Sequence, residues 1–157
     1  MKSFAIFIAG LMALAALPAG SQTAPPQKLI VFANRSTPVN KMSSGQLRDV
    51  LLGEVPSWSN GRAVSVVFAD NKSMTAALKR ILKMTRDDYD NYFTVKRYQG
   101  QELVRPRLLP TTDLVLQFLT QTPGAITVLE GDADMTVAGA KAIRIDGKLP
   151  DEDGYRY

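Results

Sequence analysis

Cysteine and histidine are both missing from the 157 residues. Without cysteine there is no disulfide framework and no thiolate nucleophile. Without histidine there is no Ser–His–Asp or Cys–His relay and no imidazole metal ligand. No serine has a lysine three residues after it, so a Ser–Lys hydrolase pair is not indicated. Asp132 and Asp134 lack the glycine and closing glutamate of a calcium loop. The acids Asp87, Asp88 and Asp90 read as capping or solvated residues of a helix start. The chain is therefore read as non-enzymatic, with no metal and no cofactor.

What remains is the composition of one ordinary globular domain, 45% hydrophobic and 22% charged. The first residues stand apart from it. Lys2 precedes an uncharged apolar run from Phe4 to Leu17, and Pro18, Ala19, Gly20 and Ser21 follow as a small-residue, helix-breaking end. That is the plan of a cleavable export signal over 1–21, with Gln22 as the new N-terminus. The apolar run is shorter than the ~20 residues that span a bilayer, so no stable membrane anchor is expected after cleavage. The predicted location is the periplasm. The formal charge of +4 loses only Lys2 with the signal, leaving a mild basic excess suited to meeting anions. A nucleic-acid surface would need aromatics interleaved with cations on one face. Tyr89, Tyr92 and Phe93 approach that pattern beside Lys79, Arg80, Lys83 and Arg86, but export argues against such a partner.

Residues 22–27, with their paired prolines, read as an extended leader, and 28–150 as a single α/β domain. Lys28–Asn34, Ala63–Ala69 and Ala125–Leu129 are short continuous apolar runs of the kind buried on both faces of a sheet. A fourth, weaker run is Lys141–Asp146. Between them lie helical patterns: Ser43 or Ser44 to about Leu52, with Gln46 completing a capping box on Ser43; Ser73 to about Met84; a short helix capped by Thr85 with Asp88; and Asp113–Thr120, with Leu114, Val115, Phe118 and Leu119 as its buried stripe. Phe93–Gly100 is ambiguous. Strands alternating with helices predict a three-layer α/β fold with a largely parallel sheet flanked by helices. Residues 151–157 are expected to fray.

The stretch Phe68–Thr75 (FADNKSMT) lies where a strand ends and a helix begins. First-turn N–H groups have no intrahelical acceptor, the dipole there favours negative charge, and the carboxyl ends of parallel strands are where open α/β sheets bind ligands. Ser73 and Thr75 add hydroxyls and Lys72 adds a cation, making an oxyanion cradle. The competing reading is simpler: Ser73 caps the helix and Asp70 ends the strand.

Three segments carry a resemblance. Ser43–Trp58 (SSGQLRDVLLGEVPSW) is similar to the L-x-x-I-F-x-G-x-x-x-x-W segment of the phosphate-binding proteins of ABC transporters. Asp70–Thr75 falls where that family has its S-G-T phosphate loop. Thr122–Ile126 (TPGAI) is similar to its P-G-A-I-G-Y strand entry. The resemblance covers roughly Leu29–Leu129 and implies one lobe of a type II periplasmic binding protein. It also implies phosphate or a similar oxyanion as ligand at Lys72, Ser73 and Thr75, with a periplasmic or membrane-transporter protein as partner. The chain departs from the family in having room for one lobe, in carrying Met74 where the loop has glycine, and in having Val67 and Phe68 where an arginine commonly precedes the loop. The alternative is a periplasmic protein–protein adaptor that kept the fold and lost the ligand, which would expose an aromatic patch around Trp58 or Tyr89 and Tyr92.

Overall fold

The computed structural model describes residues 27–157. The export signal and nearly all of the leader lie outside them. Five strands form one sheet in the order β4-β3-β5-β1-β6: β1 is Lys28–Asn34, β3 Ser65–Ala69, β4 Arg107–Leu109, β5 Ala125–Gly131 and β6 Ala140–Ala142. β3 pairs in parallel with both β4 and β5. β1 runs antiparallel to β5 and to β6. Four strands thus share one direction, and β1 runs against them between β5 and β6. A two-residue pair, β2 (Lys41–Met42) and β7 (Arg144–Ile145), lies beside the sheet and splits the fourth expected strand.

The continuous apolar runs have the expected cause, which is burial on both faces. Leu29, Val31 and Ala33 of β1 join Val66, Phe68, Ile126 and Val128 in one core, while Ile30 and Phe32 join Val67, Ala69, Ala125 and Leu129 in the other. The first face is covered by α1 (Ser44–Leu51), by α2 (Lys72–Ala77) continued by a π-helical turn (Leu78–Leu82), and by α3 (Arg86–Tyr98). The second is covered by α4 (Thr112–Gln121) with Met135 and Val137. The three-layer α/β expectation is met.

Capping chemistry sets the helix starts. Ser43 and Gln46 form the expected capping box on α1, and Thr85 and Asp88 form one on α3. α3 absorbs most of the ambiguous stretch and runs to Tyr98. Two expectations need correction. Leu114 belongs to no buried stripe, because Val115 and Leu119 point at the sheet and Leu114 is exposed. The final residues do not fray: the Tyr155 hydroxyl donates to the Leu29 carbonyl at 2.6 Å, Arg144 and Glu152 pair at 2.8 Å, and Tyr155 and Tyr157 pack on the core.

Edge strand β4 is guarded. The Asp70 N–H donates to the Leu109 carbonyl at 2.9 Å, so Leu109 turns its polar groups to β3. Alternation turns Pro106, Leu108 and Pro110 to the open edge, where two of three positions have no N–H to offer.

Candidate functional site

The carboxyl ends of β3 and β4 lie side by side, and each runs straight into a helix. β3 ends at Ala69, and Asn71 caps α2; β4 ends at Leu109, and Thr111 caps α4. The Asn71 Oδ1 accepts from the Ser73 N–H at 2.9 Å, while its Nδ2 donates to the Thr112 Oγ1 at 3.1 Å. One asparagine therefore caps its own helix and ties it to the start of the next. Both positive helix ends face the same edge of the sheet. The first-turn amides of Lys72 and Met74 take no backbone or side-chain acceptor among the described residues.

Of the residues singled out in the sequence, Lys72 and Thr75 are exposed and Ser73 is buried. The Ser73 Oγ accepts from the Glu130 N–H of β5 at 3.3 Å, so its hydroxyl faces the sheet and braces α2 from beneath. The cap is Asn71, two residues earlier than the simpler reading placed it. Met74, where the family loop has glycine, is buried and fills the core under α2. Arg86 donates from Nη1 to the Asp70 Oδ1 at 2.9 Å and to the Met74 Sδ at 3.3 Å, and from Nε to the Asp90 Oδ2 at 3.2 Å. Its hydrogen bond to Asp70 holds the guanidinium pKa above its ordinary value, with burial acting against it. Arg86 thus belongs to an ion-paired cluster, and it neutralises the Asp70 carboxylate beside the α2 start. Lys72 has no ion-pair partner among the described residues. Asp113, in the first turn of α4, already complements that dipole.

Of the aromatic residues that an adaptor would expose, Trp58 and Tyr89 are inside. The Trp58 indole N–H donates to the Gly124 carbonyl at 2.9 Å, and the Tyr89 hydroxyl donates to the Leu51 carbonyl. Tyr92 is half-buried, its hydroxyl on Glu54 and its pKa pushed up to about 12, by burial first and then by that carboxylate. The exposed aromatic of α3 is Tyr98.

Sequence reasoning missed the roles of Asn71 and Thr112. Both lay in stretches read as helix starts, but their contact depends on β4, a three-residue strand beginning with arginine that no apolar run announced.

No protein-family model matches the chain, and no curated protein matches it. Solved structures do. The chain is similar to PstS from Borrelia burgdorferi, at 13% identity and a TM-score of 0.62, over 79% of this chain and 49% of that one. It is similar to the phosphate-binding protein from Stenotrophomonas maltophilia, at 17% identity and a TM-score of 0.59, over 80% of this chain and 40% of that one. An ABC-type phosphate transport receptor from Vibrio cholerae gives 12% identity and a TM-score of 0.52, over 79% and 48% of the two chains. The chain spans about half the length of these proteins or less. At such identities the likeness defines the fold, which is that of one lobe of a phosphate-transport binding protein.

Proposed function

We propose that the chain is an exported, non-enzymatic binding module that takes phosphate or a similar oxyanion in the periplasm, in the service of an ABC-type transporter. The observation that carries this reading is the Asn71–Thr112 hydrogen bond, which holds two helix N-termini together at the carboxyl edge of parallel strands. Dipoles and unpaired first-turn amides there favour an anion. The names of two structural relatives, a phosphate transport receptor and a phosphate-binding protein, support the ligand class.

The seat lies on the α2 side, because Asp113 opposes an anion at α4 and Asp70 is neutralised by Arg86. Lys72 and Thr75 reach the ligand from the exposed side, and Ser73 keeps α2 seated on β5. With a single wall, water and salt compete for every donor. An affinity near millimolar, about 4 kcal/mol, is the expectation.

The test is a calorimetric titration of Gln22–Tyr157 with phosphate at low salt, with sulfate alongside. Saturable heat that is lost in Lys72→Glu and weakened in Asn71→Ala is the expected result, in variants that keep their circular dichroism. A folded protein that gives no saturable heat up to tens of millimolar would overturn the reading.

A further inference from the structure

Arg97, in the last turn of α3, and Arg105, in the segment beyond it, are separated in sequence, yet the fold brings them to one concavity. Phe93, Arg97, Gln101, Glu102, Leu103 and Arg105 line a cavity of about 450 Å³ between the C-terminal half of α3 and the segment that follows it. We infer that this cavity is a second binding site, for a small monocarboxylate carried on an apolar body.

The walls are fixed at both ends. At the end of α3, the Gly100 N–H donates to the Arg97 carbonyl and the Gln101 N–H to the Lys96 carbonyl, each at 3.0 Å. Further on, the Val104 N–H donates to the Gly53 carbonyl at 3.1 Å. Gly53 has φ 74°, and a Cβ there would stand 2.3 Å from the Val104 oxygen, so only glycine lets the segment come this close. Arg105 is held as well, its guanidinium 5.3 Å over the Phe93 ring and its Nη2 3.4 Å from the Asp90 carbonyl. The concavity therefore exists before any ligand arrives, which removes part of the ordering cost of binding.

The chemistry of the walls names the ligand. Guanidinium forks match the plane of a carboxylate. Two arginines against Glu102 leave the wall one positive charge, which suits a single negative charge. Half-buried Leu103 supplies apolar surface that an inorganic anion would not use, while the Phe93 ring is buried beneath Arg105. The volume falls within the roughly 300–1,000 Å³ of small-molecule sites. The residues differ from those at the α2 and α4 starts, so the two sites stand or fall separately.

The probe is 4-phenylbutyrate, titrated into the ¹⁵N-labelled protein and followed by amide shifts, with the neutral 4-phenylbutyramide as its isostere. Saturable shifts in the second half of α3 and in residues 99–105 are expected. The amide should bind about tenfold or more weakly, as should phenylbutyrate to Arg97→Ala. Arg105→Lys should retain more binding than Arg105→Ala, and Lys72→Glu should bind as the parent does. Equal binding of acid and amide, an unaffected and still folded Arg97→Ala, or no saturation up to the solubility limit would each overturn the assignment.

Discussion

Gly124→Ala should cost far more stability than its size implies. Gly124 has φ 88°, and a Cβ there would stand 2.3 Å from the Ala63 carbonyl oxygen. Its own carbonyl accepts from the Trp58 indole at 2.9 Å and from the Ser65 N–H at 3.2 Å, tying the loop after α1 to the start of the β3–β5 pair. The left-handed backbone alone costs a side chain about 1–2 kcal/mol. Relieving a contact with backbone oxygen means moving the 123–125 segment, and that strains or breaks the buried indole bond, worth about 1–3 kcal/mol once its donor is orphaned. The sum is about 2–5 kcal/mol, a large part of the roughly 5–15 kcal/mol that holds a domain together.

Urea unfolding measures it directly, because the chain has a single tryptophan and that residue makes the bond in question. The midpoint should fall while the slope stays unchanged. Gly61→Ala is the matched control: φ is 77°, but no atom lies within 4 Å of its added Cβ, so only the backbone term of about 1–2 kcal/mol applies. If the two variants lose the same stability, the clash and the indole bond contribute nothing and the reasoning fails.

Thr127 is fully buried in the middle of β5, and its hydroxyl has no partner among the described residues. Thr127→Val should therefore raise stability by about 1 kcal/mol in the same urea assay. Restoring N–H groups to the open edge of β4, with Pro106→Val and Pro110→Thr together, should promote self-association, read by light scattering against concentration. Asp88 has its pKa lowered, chiefly by the Thr85 hydroxyl and then by the Thr85 backbone N–H. Its contribution is present above the ordinary carboxylate range and is lost as pH falls through the depressed value. The stability gap between the parent and Asp88→Asn should be widest near neutral pH and close in acid, as urea midpoints taken across pH will show.

The fold was legible because its signals were strong and local. β1 coincides with Lys28–Asn34, whose run of apolar residues has no other use than burial on both faces. Ser43 with Gln46 and Thr85 with Asp88 announced two helices through side chains that reach only three residues. What escaped was whatever depends on a neighbour distant in sequence. The reversed direction of β1 is set by its pairing with β5, about a hundred residues on. β4 stayed hidden because it is short and exposed, and with it went the adjacency of the two helix starts. At the α2 start, Asn71 and not Ser73 is the cap, and Ser73 is buried against Glu130, which no spacing rule reports.

The three segments that carry the family resemblance do different physical work. Trp58, from the first, and Gly124, from the third, are one unit, a buried indole on a carbonyl that only glycine can present there. Gly53, also in the first, admits Val104 where a side chain could not stand. At both glycines an added side chain would collide with backbone oxygen. The middle segment, Asp70–Thr75, is where a ligand would be read, and it is the one that departs: Met74 fills the core in place of an open backbone, and Arg86 returns from α3 to pair with Asp70. The weak, single-walled anion seat proposed at α2 is what such a loop can offer.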